Sequence, residues 1–144
     1  MIVIVNPGAG TALGEAGGIV DRIMEAFADA GLSARILIPD GNNDVATLSR
    51  QAAASAEEIV VGAGGDGTMS AVATAIAGST KRLGVLPLGT LNHFAKDLRI
   101  PLELKAAVQT IATGSELLVD VAEVNGRVFI NNFRRHAKQG WKRE

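Results

Sequence analysis

The chain has 144 residues, 47% hydrophobic, 20% charged and 3% aromatic, with a net charge of −1. That is enough for one globular domain, and with so few aromatics its core must be Val, Ile, Leu and Ala, the palette of a parallel sheet covered by helices. The absence of cysteine excludes disulfides and thiolate zinc sites; basic charge gathers in residues 133–144 rather than on an aromatic-laced surface, which argues against nucleic acid.

In chain order, the β-branched run 2–5 reads as a strand ended by Asn6-Pro7-Gly8. No apolar run reaches membrane-spanning length, and residues 1–5 lack the basic flank of a signal peptide, so a cytoplasmic location is expected. Ile19, Val20, Ile23, Met24 and Phe27 recur at helical spacing over 17–30, with Gly31 as the residue after the cap. A strand over 34–38 closes at Pro39-Asp40-Gly41, and a helix over 44–54 turns Val45 and Leu48 inward. A strand over 58–62, a helix over 68–77 and a strand over 83–87 follow, then a helix over 103–113. Segments 117–124 and 128–130 flank Asn125-Gly126, a strong two-residue hairpin signal. The alternation predicts a three-layer, Rossmann-like α/β fold: a mostly parallel sheet between helices that gains an antiparallel pair late in the chain.

The most informative stretch is 60–68, where Val60-Val61-Gly62-Ala63-Gly64-Gly65-Asp66-Gly67-Thr68 carries an apolar strand into glycines, one carboxylate and a hydroxyl that can open a helix. Glycine lets backbone amides approach a ligand closely, and a helix N-terminus favours an anion. A carboxylate beside phosphate is tolerated when a divalent cation lies between them, or when it holds a ribose hydroxyl or a backbone turn. A nucleotide loop with magnesium is the reading, with Asp66 the candidate magnesium residue. No Gly-Lys-Ser/Thr follows, so Walker A fails. Gly62, Gly64 and Gly67 satisfy the dinucleotide fingerprint, but no acidic residue lies between Met69 and Lys96 to hold a ribose. A glycine-rich turn without ligand is the alternative these residues leave open.

Ligands of open α/β sheets sit beyond the carboxyl ends of the strands. Three strands end there in small-residue loops: Asn6-Pro7-Gly8-Ala9-Gly10, with Gly14 further on; Gly64 to Thr68; and Leu88-Gly89-Thr90-Leu91-Asn92-His93-Phe94. Their convergence on one rim predicts a site.

These three segments, with Leu86-Pro87 before the last and Ala95-Lys96-Asp97 after it, resemble in order and spacing the catalytic-domain motifs of diacylglycerol kinases. Bacterial diacylglycerol kinase-like lipid kinases are the nearest pattern, with sphingosine and ceramide kinases further off. Gly-Gly-Asp-Gly-Thr alone is shared with NAD kinases and loosely with phosphofructokinases. The resemblance covers residues 1–132 and implies transfer of a phosphoryl group from Mg-ATP to a lipid hydroxyl, diacylglycerol-like or sphingoid. It also implies a membrane-peripheral full-length enzyme whose larger C-terminal β-sandwich completes the cleft. Carried over, Asn6, Pro7, Gly8, Ala9 and Gly10 lie near the nucleotide and Gly64, Gly65, Asp66, Gly67 and Thr68 hold its phosphates. Gly89, Thr90 and Asn92 close the site.

The chain departs from the pattern at Leu91, often glycine in the family, and after Asn132. There Phe133-Arg134-Arg135-His136 begins a basic tail, 133–144, with no family counterpart: a truncation, a foreign end or a frameshift. The family's second domain, and with it the acidic residue that activates the acceptor, is expected to be absent and the fragment inert. A stand-alone nucleotide-binding module, self-associating through a bare sheet edge, and an NAD kinase-like enzyme are the alternatives. His93 is a candidate contact for nucleotide or lipid, although a lone loop histidine is more often a surface or packing residue. Leu88, Leu91 and Phe94 are candidates for an apolar lip. Asp120 and Glu123 are expected to alternate with buried valines as a solvated face.

Overall fold

Four short runs of branched aliphatic residues do what their composition demands and pair as a parallel sheet. The structure, a computed structural model, describes residues 1–7, 16–119 and 121–129. The strands are β1 (Ile2–Val5), β2 (Arg35–Leu37), β3 (Ile59–Gly64) and β4 (Arg82–Pro87), in the order β2-β1-β3-β4. Val3 lies opposite Ile36 and Val61, and Val61 opposite Gly84. All four residues of β1 are fully buried. Each such side chain contributes roughly 1.5–3 kcal/mol relative to exposure.

Period-two alternation sends neighbouring β1 residues to opposite faces. Val3 and Val5, with Val61, Ala63 and Leu86, pack against Ile19, Ile23 and Phe27 of α1 (Ala16–Asp29) and Ala107 and Val108 of α5 (Leu104–Thr113). Ile2, Ile4 and Val60 pack against Leu48 and Ala52 of α2 (Val45–Ala54) and Val72 and Ile76 of α3 (Asp66–Ile76). Helices therefore cover both faces. From β1 the chain moves outward to β2, whereas from β3 it moves outward to β4. The crevice between the carboxyl ends of β1 and β3 is thus a topological switch point.

The helix ends follow their residues. Asp44 Oδ1 accepts the Thr47 amide at 2.8 Å to cap α2, and the Glu103 carboxylate accepts the Lys105 and Ala106 amides to cap α5. Gly31, at φ +72°, ends α1 with Leu32 N–H donating to Phe27 O. Lys81 and Arg82, at the start of β4, reach carbonyls of Ser55 and Glu57 and the carboxylates of Glu58 and Glu116, as charges at element ends do.

Five expectations change. Helix α3 begins at Asp66, with Gly65 as its N-cap, not at Thr68; a carboxylate in the first turn suits the helix dipole, and the Thr68 hydroxyl is engaged elsewhere. Strand β3 runs on to Gly64 because Gly62 to Gly64 pair with Val85 to Pro87. The hairpin, β5 (Ala122–Val124) and β6 (Arg127–Phe129), turns through Asn125 (φ 52°) and Gly126 (φ 77°), as the sequence implied. It forms a separate two-stranded sheet, however, and packs Val128 against Met69, Ala73 and Phe94 instead of extending the main sheet. The predicted strand over 117–124 accordingly shrinks to three residues. Glu123 is solvated as expected and Val119 packs half-buried on the same cluster, but Val121 and Val124 are exposed, so the expected alternation with buried valines does not continue past Val119. Asp120 and the tail lie outside the described residues.

Candidate functional site

The loops after β1, β3 and β4 meet at the switch point and are tied together by named bonds. The Asn6 amide donates to Ala63 O at 2.9 Å, and its side-chain Nδ2 donates to Thr68 Oγ1 at 3.3 Å. Thr68 is only 4% exposed. A Cβ on Gly64 would stand 2.4 Å from Thr68 Oγ1, so glycine at 64 is what lets the threonine lie beneath the strand end. Leu88 N–H donates to Gly64 O at 2.9 Å, carrying the β3–β4 pairing one step past the strands.

Beyond that bond the two loops touch through bare backbone. A Cβ on Gly89 would fall 2.5 Å from Gly65 Cα and 3.0 Å from Asn92 Oδ1. Asn92, at φ 52° and nearly buried, folds its amide back on Gly89: Oδ1 accepts the Gly89 amide at 2.9 Å and Nδ2 donates to Gly89 O at 2.8 Å. Asn is one of the few residues that tolerate this left-handed conformation. Asp66 completes the junction. Its Oδ2 accepts the His93 amide and its Oδ1 the Phe94 amide, each at 3.0 Å, at the start of α4 (His93–Asp97).

A cavity of about 230 Å³ opens between these loops, lined by Asn6, Val45, Gly65, Gly67 and Thr68. It is smaller than the ~300–1,000 Å³ of complete small-molecule sites. The first intrahelical bond of α3 runs from Met69 N–H to Gly65 O at 3.1 Å, so the amides of Asp66, Gly67 and Thr68 precede the ladder at the positive end of an eleven-residue helix. Gly67 is the telling residue. A Cβ there would meet nothing within 4 Å, and its φ is not in the left-handed region. Neither packing nor backbone requires glycine at 67, although a glycine within a helix costs about 1 kcal/mol relative to alanine.

The structure thus brings together Asn6, Gly64, Gly65, Asp66, Gly67, Thr68, Gly89 and Asn92, with Pro7 following Asn6 and Thr90 exposed on the turn between Gly89 and Asn92. Gly8, Ala9, Gly10 and Gly14 lie outside the described residues. The roles are more differentiated than the motif suggests: Asn6, Gly65, Gly67 and Thr68 line the cavity, whereas Gly64, Gly89 and Asn92 build the loops behind it. Of the expected apolar lip, Phe94 is buried and Leu88 packs on the core, leaving Leu91, 58% exposed. His93 is exposed and contributes its backbone amide. Sequence reasoning missed Val45 as a lining residue; it opens α2, directly after a fourth loop, the one that follows β2. That loop holds Asp40, whose carboxylate accepts the Asn42 and Asn43 amides and is thereby held below the usual carboxylate range.

Among the described residues no cluster of three or more His, Cys, Asp or Glu could hold a metal ion. Among the described residues, the loops after β1, β3 and β4 offer magnesium one carboxylate, Asp66, with both oxygens already accepting amides. The residues therefore fit magnesium as an ion carried on nucleotide phosphates and water, the commoner arrangement for that cation, and not as a protein-caged ion.

The family model described as the diacylglycerol kinase catalytic domain matches residues 1–124. Proteins named "Probable lipid kinase YegS-like" from Yersinia pestis (strain Pestoides F) and Yersinia pseudotuberculosis serotype O:1b (strain IP 31758) are each 39% identical over 117 residues. The match covers 78% of this chain and 40% of either relative. A crystal structure of a diacylglycerol kinase from Bacillus anthracis str. Sterne superposes with a TM-score of 0.75 at 28% identity, covering 89% of this chain and 48% of that one. The chain thus spans less than half the length of these relatives.

Proposed function

Since the chain belongs to the diacylglycerol kinase catalytic domain family, we propose that it is the ATP-binding half of a lipid kinase. The observation that carries this reading is Gly67: a glycine in the first turn of α3, at the wall of a cavity, for which the protein itself has no use. With Gly65 and Thr68 it presents the α3 N-terminus to a polyphosphate. Asn6 and Val45 complete the lining.

In the reaction, the bond between Pγ and the β,γ-bridging oxygen of ATP breaks as the acceptor hydroxyl oxygen bonds to Pγ, and ADP leaves. Such transfers depend on positioning and charge neutralisation more than on covalent catalysis by the protein. Magnesium, when bound with the nucleotide, supplies neutralisation of the phosphate charge. The chain's own residues hold the phosphates by backbone amides and fix the loop geometry around them. Asp66, its two oxygens taken by the His93 and Phe94 amides, would fix the loop that holds the phosphates. The acceptor's proton needs a base. Among the described residues, the loops after β1, β3 and β4 hold only Asp66 and His93 as acid–base side chains, one engaged and one exposed. We therefore assign the base and the lipid-binding wall to the part of the relatives that this chain does not span, and expect the 144-residue chain alone to turn over lipid poorly.

Calorimetric titration tests the reading: ATP with magnesium should bind weakly, and NAD should not compete. Radiolabel transfer from ATP to diacylglycerol or a sphingoid base in mixed micelles should be near background. Preference for NAD would replace the lipid-kinase reading with an NAD kinase-like one. Robust lipid phosphorylation by this chain would show that the acceptor machinery lies within it.

A further inference from the structure

We infer that Asp66 is a positioning residue: it clamps the phosphate loop to the Gly89-to-Phe94 segment, so that nucleotide at the α3 N-terminus orders the loop closing the site from β4. For its ligand the inference rests on the nucleotide reading above; for its geometry it rests on hydrogen bonds alone. Asp66 sits between Gly65 and Gly67, both of which line the cavity, yet is not itself among the lining residues. Its carboxylate is directed to α4, where each oxygen accepts one amide at 3.0 Å, across 27 and 28 residues of sequence.

Helix α4 needs this. It has five residues, too few to be stable alone. Its own N-cap, Asn92, makes no side-chain cap bond, because the left-handed backbone at Asn92 directs the amide to Gly89. The first amides of α4 are capped instead from another element. At the same time, Asp66 occupies the first turn of α3, where its charge suits the dipole. One side chain therefore serves two helix starts. The backbone contact between Gly65 and Gly89 is a second attachment of the same two loops. A shift of Gly65 to Gly67 on ligand binding is transmitted through both, to a segment whose exposed apolar side chain is Leu91.

Amide hydrogen exchange followed by NMR tests the clamp. In the ligand-free chain, His93 and Phe94 amides should be protected, and Asp66→Ala should speed their exchange roughly ten- to hundredfold, the worth of hydrogen bonds to a charged acceptor. The amides of Val61 and Val85 should be unchanged. Asp66→Glu, which keeps both acceptor oxygens, should restore part of the protection. ATP should slow His93 and Phe94 exchange further in the wild-type chain and not in Asp66→Ala, and the variant's loss of ATP affinity should be the same factor with and without magnesium. Equal protection in Asp66→Ala would overturn the clamp, and a loss confined to magnesium-containing samples would overturn it in favour of a metal ligand. Failure of the wild-type chain to bind ATP would overturn the nucleotide reading and the coupling together; the ligand-free comparison would still decide the clamp.

Discussion

Replacing Gly67 with alanine should separate what the fold wants from what the ligand wants. The added methyl would meet no atom within 4 Å, and the residue lies inside α3 with ordinary negative φ. The folded state therefore has no steric objection. Alanine is favoured over glycine in a helix by about 0.8–1.0 kcal/mol in interior positions, with less expected in a first turn, so stability should rise by about 0.5 kcal/mol. For a chain of this size that is a rise in Tm of roughly 1–2 °C. The same methyl enters a cavity of about 230 Å³ at the wall formed by Gly65, Gly67 and Thr68, where amides must come within hydrogen-bond distance of phosphate oxygens. Losing two such charge-assisted bonds, at about 1.5–3 kcal/mol each, weakens ATP by two orders of magnitude or more. Urea denaturation gives the first quantity and calorimetric titration with ATP the second. A variant that is more stable but binds as well as the wild type would refute the cavity as the phosphate site. One that is destabilised would show that glycine at 67 serves the fold after all.

Gly89→Ala should behave in the opposite way, destabilising by about 1–3 kcal/mol in urea because its methyl must push the Gly65 backbone aside; unchanged stability would mean that the two loops do not touch. Asn92→Ala should cost about 1 kcal/mol more than Asn92→Gly, since both lose the Gly89 bonds but only alanine is strained at φ 52°, and equal midpoints would argue against the left-handed turn. Acid should loosen the starts of α2 and α5. Asp44 and Glu103 are held below their usual carboxylate range chiefly by the amides of Thr47 and of Ala106 and Lys105 respectively. A depressed folded-state value means stability that is present above the ordinary carboxylate range and lost as pH falls through the folded value. Far-UV circular dichroism between pH 5 and 2 should show this loss, and in Asp44→Asn,Glu103→Gln it should be reduced.

The sheet was legible because each strand announces itself by composition: Ile2 to Val5 and Val60 to Val61 are β-branched and bounded by glycine or proline. The site's address was legible too, since small-residue loops after three strands have one place to meet in a sheet of this order. What could not be read were decisions made between distant residues. Thr68 looked like a helix cap until its hydroxyl was seen to accept from Asn6. Asp66 looked like a group facing the ligand because nothing near it in sequence asks for a carboxylate; the amides that do lie more than 25 residues on. Phe94 looked like part of an apolar lip because a loop aromatic carries no sign of which way it packs, and the hairpin that helps bury it could as well have joined the sheet.

The burial of β1 has a consequence for how the chain is made. This strand is the sheet's most apolar element, yet Ile2 pairs with Arg35 and Val60, and Val5 with Ala63, all synthesised after it. At roughly 5–20 residues per second, a ribosome finishes β1 several seconds before β3 exists. Through that interval the Ile-Val-Ile-Val segment has the traits of an aggregation-prone strand: high β-propensity, strong hydrophobicity and no charge. Expression yield should therefore depend on translation speed and chaperone supply through residue 63 more than on the stability of the finished fold.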